Sequence, residues 1–123
     1  MKKLIIFLAS ALLLFSGCSS SFSIIDNTEV KKVIFWTHQS EREATADEMA
    51  NILELYNTSK YGGKATGEGG TPDFGAKIIL ENDDEIYVND FYGKVEVLTK
   101  NRTFYLESQN LYETLKKAVS PPD

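Results

Sequence analysis

The sequence predicts an α+β domain over residues 29–123, in which a small antiparallel sheet of about five strands carries two helices on one face. Two observations support this prediction. Four short segments in the second half of the chain are apolar or alternating and are separated by turn residues, as the strands of a meander are. Two other segments repeat their apolar residues at helical spacing. The predicted order is therefore β-α-β-β-β-β-α.

The first strand is predicted at residues 30–37, whose sequence Val-Lys-Lys-Val-Ile-Phe-Trp-Thr is rich in β-branched and aromatic residues. This composition is typical of a strand that is buried on much of both faces. A turn at residues 26–27 would let residues 23–25 pair with this strand. A hairpin at the start of the domain is therefore expected.

The first helix is predicted at residues 46–56, after a capping box formed by Thr45 and Glu48. Its apolar residues recur at helical spacing: Ala46, Met49, Ala50, Leu53 and Tyr56. A long loop is predicted next, because residues 61–75 contain six glycines and Pro72. The glycines match neither a P-loop nor a dinucleotide fingerprint, so we interpret the loop as a connector that is able to contact a partner.

The meander is predicted from four strands, at residues 76–81, 85–89, 94–99 and 102–107. Turn residues separate these strands. Ser108 is the predicted N-cap of the last helix, and the pair Pro121-Pro122 is expected to end it. The apolar residues of this helix share one face: Leu111, Leu115, Ala118 and Val119. Both helices are expected to cover the same face of the sheet.

The N-terminus has the features of an export signal. Lys2 and Lys3 precede an apolar run at residues 4–15, which is about a dozen residues long. A helix that crosses a membrane permanently needs about 20 apolar residues, so this run is expected to be removed. Small residues then precede Cys18, the one cysteine of the chain, so no intramolecular disulfide can form.

The sequence Phe15-Ser16-Gly17-Cys18 resembles the lipobox of bacterial lipoproteins, although Phe15 stands where that family usually has leucine. The resemblance implies that a diacylglycerol, with acyl chains such as palmitate, is attached to Cys18 and that a peptidase cleaves before it. Residues 1–17 are then the signal peptide, residues 18–28 a lipidated cysteine with a short tether, and residues 29–123 the exported domain. The alternative is an ordinary secretory signal that contains a cysteine.

This resemblance implies that the domain lies outside the cytoplasm, anchored by lipid to the outer membrane of a Gram-negative envelope or to the cell membrane of a Gram-positive one. In architecture and length, the exported domain resembles small envelope lipoproteins of unknown role. Without Lys2 and Lys3, 11 of the 13 lysines and arginines remain against 18 aspartates and glutamates. This acidic balance disfavours binding to nucleic acid and electrostatic attraction to anionic lipid.

No catalytic, metal or cofactor site is predicted. His38 is the only histidine, whereas a zinc site needs three or four ligands, and no nucleophile has a positioned base. We therefore interpret His38 as a surface or loop residue. Residues 83–85 with Asp90 offer oxygen ligands for calcium, but they lack the calcium-loop consensus, and we interpret residues 83–85 as a hairpin turn.

The sequence thus predicts a non-enzymatic module that binds an envelope protein or a small envelope ligand, with the anchor raising its local concentration. Phe91 and Tyr92 are the predicted contact residues, because they are aromatic and lie next to a turn. One alternative is a hydrolase of cell-wall or lipid material that uses the carboxylates Asp73, Glu81 or Asp90. Another is a lipoprotein that excludes a phage or a toxin.

Overall fold

The computed structural model of the protein describes residues 22–65 and 71–120. The elements follow in the order β1 (Val30–Thr37), β2 (Glu41–Glu43), α1 (Ala46–Asn57), β3 (Lys60–Lys64), β4 (Phe74–Leu80), β5 (Glu85–Phe91), β6 (Lys94–Leu98), β7 (Thr103–Glu107) and α2 (Gln109–Val119). A 3-10 turn, Asn27–Glu29, precedes β1. The predicted lipobox and the pair Pro121-Pro122 lie outside the described residues.

The predicted fold class is confirmed, because the described residues form an antiparallel sheet and two helices. The sheet has seven strands in the order β2-β1-β4-β5-β6-β7-β3. The predicted meander from β4 to β7 is present, with each strand paired to the next. The strands beyond the predicted five are β2 and β3, which form the two edges of the sheet.

The prediction of a loop over residues 61–75 is wrong at both ends. β3 occupies its first part, and β4 already begins at Phe74. A Cβ at Gly62 would lie 3.2 Å from the carbonyl oxygen of Tyr105, so the strands approach closely there. Gly63 has a φ of +110° at a register shift between β3 and β7. The glycines therefore allow a close approach and a bulge in an edge strand.

β2 is a strand that the sequence pattern does not predict. Its three residues are charged and exposed, and its pairing places Arg42 opposite Phe35. Short, charged edge strands hinder the pairing of a sheet with other chains. The strand also holds the guanidinium of Arg42 over the ring of Phe35, 5.0 Å from the ring centroid.

The predicted hairpin between residues 23–25 and the first strand is wrong, because this segment has no regular structure and packs against the core instead. The Ile25 amide donates to Asn57 Oδ1 at 2.7 Å, and Asn57 Nδ2 donates to the Ile25 carbonyl at 2.8 Å. The ring of Phe22 contacts those of Tyr56 and Phe104, with centroids 5.3 and 5.6 Å apart. The chain is therefore fixed to the domain from Phe22 onward.

The hydrophobic core lies between the two helices and one face of the sheet. α2 passes over β1, β4 and β6, and it also contacts α1. The buried side chains from the strands include Val33, Phe35, Ala76, Ile78, Val88, Val95, Val97, Phe104 and Leu106. Those from the helices are Ile52, Leu53, Tyr56, Leu111 and Leu115. Both helices therefore cover the same face of the sheet, as the sequence predicts.

Among the described residues, no helix covers the opposite face of the sheet. Across its middle, a row of residues stands in register on five neighbouring strands: Trp36, Gly75, Asn89, Glu96 and Tyr105. Asn89 is only 6% exposed, and its Oδ1 and the Nε1 of Trp36 are buried with no hydrogen-bond partner in the described part of the chain. Burial also raises the pKa of the Glu96 carboxyl. Polar groups of this row are therefore sheltered from solvent although no helix of the described residues lies over them.

The N-terminus of α1 is fixed by hydrogen bonds that centre on Glu48. Thr45 Oγ1 accepts from the Glu48 amide at 3.2 Å, and Glu48 Oε1 accepts from the Thr45 amide at 2.9 Å, which confirms the predicted capping box. Arg42 donates to the two carboxylate oxygens at 2.8 and 2.9 Å, and to the Ala118 carbonyl at 2.9 Å. These contacts, with the hydrogen bond from Arg42 the largest, lower the pKa of Glu48 to about 2.

Replacing Glu48 by glutamine is expected to lower the free energy of unfolding at pH 7 by about 1 kcal/mol, with allowance for solvent screening of a side chain that is 33% exposed. The folded pKa lies below the ordinary value of 4.5, so the carboxylate stabilises the fold above that pH. This contribution is lost as the pH falls toward the folded pKa of about 2. Urea unfolding at several pH values should therefore show the two proteins converging in acid.

Glu54→Gln is the matched control, because Glu54 is exposed on the same helix and its carboxylate has no hydrogen-bond or ion-pair partner among the described residues. Its effect on stability should be close to zero at every pH. An equal loss at both positions, or a difference for Glu48→Gln that persists in strong acid, would contradict the stabilising role of the Glu48 carboxylate.

Candidate functional site

The turn between β5 and β6 has an unusual backbone. Tyr92 and Gly93 form its two-residue loop, and both have positive φ angles, +50° and +83°. Such hairpin loops strongly prefer glycine, which has no Cβ to clash in the left-handed region, and asparagine, whose short polar side chain can hydrogen-bond locally there. Gly93 fits this preference, whereas Tyr92 departs from it. A bulky residue is therefore held in a conformation that lowers stability.

Tyr92 is also one of the two large apolar side chains that stand out as exposed among the described residues, with 80% of its surface accessible. Its ring makes a T-shaped contact with that of Phe91, with centroids 4.9 Å apart. Phe91 in turn contacts Tyr105 on the neighbouring sheet surface, at 5.0 Å. The partly buried Phe91 thus supports an exposed Tyr92, and we refer to residues 91–93 as the hairpin tip.

A hollow of about 200 Å³ opens beside the hairpin tip. Its walls come from the end of β5, from the segment before β4 and from α2. Its polar groups include the carboxylates of Asp73 and Asp90 and the phenol of Tyr112. We use the name tip site for Asp73, Asp90, Phe91, Tyr92 and Tyr112.

The structure brings together four of the five residues that the sequence suggests for binding or hydrolysis. Asp73 and Asp90 border the same hollow as Phe91 and Tyr92. Glu81 lies in the turn between β4 and β5, at the opposite end of these strands, so it takes no part in the site. The three predicted carboxylates therefore do not form one group.

The carboxylates considered for a calcium site do not lie together either. Asp83 lies in the β4–β5 turn, where it pairs with Lys31 at 2.6 Å, while Asp90 is at the other end of β5. Asp83 has a φ of +71°, as expected for an aspartate in a tight turn. Within residues 22–65 and 71–120, no group of three or more His, Cys, Asp or Glu side chains is placed to hold a metal ion.

Tyr112 is the residue of the tip site that the sequence does not indicate. It lies on α2 beside the core residue Leu111, and its ring contacts Phe74 at 5.7 Å. Burial raises the pKa of its phenol, and the negative charges of Asp90, Glu113 and Asp73, together with a hydrogen bond to Asp90, raise it further. The helical pattern gives no sign of this role, because it depends on where α2 crosses the sheet.

His38 lies next to the tip site, at the end of β1. Its Nε2 is 3.8 Å from Asp73 Oδ1, and the two side chains are 54% and 82% exposed. Its ring is 6.3 Å from that of Trp36. The tip site therefore offers carboxylates, phenols and one imidazole at its margin, which is a set of groups suited to binding a cationic or hydrogen-bonding partner.

A larger hollow of about 440 Å³ lies between the helices and β2. Two of its three charged side chains already pair with each other, because Arg42 donates two hydrogen bonds to Glu48 and a third to the Ala118 carbonyl, while Lys117 is the third. A second hollow, of about 320 Å³, is bordered by Ile24, Leu80 and Ile86 at the N-terminal end of the domain. Neither contains a residue in a strained conformation, so the tip site is the better functional candidate.

The fold and the site define a small α+β domain with an open sheet face and an acidic, aromatic hollow at one hairpin. Comparison with known proteins adds no narrower class, because no family model, no curated protein and no solved structure matches the chain. In the part of the chain that the structure describes, no helix has the length and apolar character needed to cross a membrane.

Proposed function

We propose that the protein is a bacterial envelope lipoprotein, held by lipid on Cys18 at the cell membrane or the outer membrane. The support is the order of features at the N-terminus: two lysines, an apolar run too short for a permanent span, and the sequence Phe15-Ser16-Gly17-Cys18. Anchoring raises the local concentration of the domain beside other envelope proteins. It would therefore allow a modest binding affinity to be effective.

The exported domain is a non-enzymatic interaction module that binds a partner protein through the tip site. The observation that carries this proposal is Tyr92, which is 80% exposed and has a φ of +50°. Exposure of a large aromatic ring and a left-handed backbone both oppose stability, and such features concentrate at binding sites. Exposed tyrosines are also frequent anchors at protein interfaces.

The position of the tip site fits presentation away from a membrane. Ile24 and Ile25 lie beside the β6–β7 turn, which is at the end of the sheet opposite the hairpin tip. The seven residues of β5 separate the two ends by about 20 Å, at about 3.4 Å per residue. From Cys18 to Phe22 the chain spans at most about 14 Å. A domain anchored at Cys18 would therefore present Tyr92 on its distal side.

Photo-crosslinking in living cells tests this proposal. The full chain carries p-benzoylphenylalanine at position 92, or at the exposed Asn101 in the β6–β7 turn as a matched control. We expect an adduct with an envelope protein, identified by mass spectrometry, from position 92 and none from position 101. Equal adducts from both positions, or none from position 92, would contradict a partner site at the tip.

Tyr92→Asn separates binding from folding. Asparagine is well suited to the first position of this turn, so the free energy of unfolding should stay unchanged or rise by up to about 1 kcal/mol. Because position 92 then carries asparagine, the crosslinking residue is moved to position 94. Loss of the Tyr92 ring should lower the recovery of the crosslinked partner by at least about tenfold, as expected for a central interface residue. Undiminished recovery with Tyr92→Asn would argue against Tyr92 as an anchor.

One observation favours a second function, hydrolysis of cell-wall or lipid material. Asp73 and Asp90 border the same hollow, and paired carboxylates are the groups that cleave glycosidic bonds. Incubation of the purified protein with wall fragments and with phospholipid, followed by product analysis, decides between the two functions. If products are released and Asp90→Asn abolishes their release, the protein is a hydrolase. If no products are released and the adduct at position 92 is still found, the result supports the interaction module.

A further inference from the structure

We propose that the tip site receives a lysine or arginine side chain of the partner protein, with its cation between the two carboxylates and the ring of Tyr92. This inference rests on the proposed interaction role and adds to it the chemistry of the partner. The argument has three parts: the charge of the hollow, the position of the ring, and the size of the hollow.

The hollow carries negative charge that the described residues do not balance. No lysine or arginine is among the residues that line it. Some carboxylates elsewhere on the surface have cationic partners, such as Glu48 with Arg42 and Asp83 with Lys31. In the described part of the chain, Asp73 has only the exposed His38 at 3.8 Å, and no ion pair involves Asp90. A cation from outside therefore complements this hollow.

The ring of Tyr92 lies at the rim of the same hollow. It makes a T-shaped contact with Phe91, and 80% of the residue is exposed, so a cation can reach the ring. An aromatic ring attracts a cation to its face, and Tyr is among the rings that do so well. The carboxylates and the ring thus favour the same kind of ligand.

Arg42 already makes this type of arrangement within the domain. Its guanidinium lies 5.0 Å from the centroid of the Phe35 ring and donates two hydrogen bonds to Glu48. At the tip site the ring and the carboxylates come from Tyr92, Asp73 and Asp90, and the cation would come from the partner. The volume of about 200 Å³ is smaller than that of most small-molecule sites, and it suits a single side chain.

Fluorine NMR of the lipidated protein in detergent micelles tests the inference. The six tyrosines are replaced by 3-fluorotyrosine, and Tyr92→Phe and Tyr112→Phe assign the two resonances of the site. The probe is a Gly-Lys-Gly or Gly-Arg-Gly peptide blocked at both ends, and Gly-norleucine-Gly is the uncharged control. We expect both resonances to shift with the charged peptides at a Kd of about 1 mM or weaker, and the norleucine peptide to have no effect.

The variants Asp73→Asn and Asp90→Asn are nearly isosteric, and unchanged resonances of the other tyrosines verify their fold. Each is expected to raise the Kd several-fold, and added salt should raise it in the wild type. Equal shifts with norleucine, no shift with either charged peptide, or a shift with calcium chloride alone would overturn the inference. An adduct at position 92 without peptide binding would overturn the inference and leave the interaction role standing. Peptide binding without any adduct would overturn the interaction role, and with it the protein partner, and would leave only a hollow that binds cations.

Discussion

Cys18→Ala is expected to abolish the incorporation of palmitate into the protein and to move it from the membrane fraction to the soluble fraction. Each acyl methylene buried in the bilayer contributes about 0.8 kcal/mol, and two or more chains together anchor a protein stably. The acidic balance of residues 18–123 provides no second attraction to anionic lipid. Removal of the acylated thiol should therefore remove the whole of the attachment.

The mass of the N-terminal peptide makes this experiment decisive. In the wild type it should begin at Cys18 and carry a diacyl or triacyl group, whereas in Cys18→Ala it should carry none. The same mass reports whether residues 1–17 are still present, which distinguishes an uncleaved signal from a lipid anchor. Ser20→Ala is the matched control and should keep both the acyl group and the membrane location. An unmodified, soluble wild-type protein would contradict the lipoprotein proposal.

Local sequence signals predict much of this fold. Three features depend only on residues close in sequence: the capping box of Thr45 and Glu48, the alternation in β6 and β7, and the Ser108 cap. Ser108 Oγ accepts a hydrogen bond from the Leu111 amide at 3.1 Å. β3 depends instead on pairing with the distant β7, and its glycine-rich sequence has no strand preference of its own. Tertiary pairing thus overrides propensity at the two edges of the sheet.

The tip site is predicted in its parts and not in its assembly. Position next to a turn indicates that Tyr92 is exposed, but its left-handed backbone is not visible in the sequence. The pairing of Gly75 with Asn89 sets the start of β4 beside the end of β5, and this register brings Asp73 near Asp90. Tyr112 arrives from α2, whose path over the sheet is set by core packing. Long-range geometry therefore creates the site.

Gly75→Ala is expected to lower the free energy of unfolding by about 3 kcal/mol, at the upper end of the usual effect of overpacking. A Cβ at this position would lie 2.4 Å from Asn89 Oδ1 and 2.8 Å from the Val88 carbonyl oxygen. The Asn89 side chain is buried, and the carbonyl belongs to the backbone of the paired strand, so neither atom moves freely. Urea unfolding of the variant and the wild type measures the loss.

Gly93→Ala is the matched control, because no atom lies within 4 Å of its Cβ position and only the φ of +83° opposes the change. It should cost about 1 kcal/mol. The double variant Gly75→Ala, Asn89→Ala removes the contact at 2.4 Å but keeps the one at 2.8 Å. Its loss of unfolding free energy should therefore be smaller than the sum of the losses for Gly75→Ala alone and Asn89→Ala alone. Equal costs for Gly75→Ala and Gly93→Ala would show that β4 and β5 can separate easily. Strict additivity would show that the Asn89 side chain does not clash with a Cβ on β4.

Because the same pairing holds Asp73 near Asp90, a Gly75→Ala protein that remains folded should also lose its response to the lysine peptide.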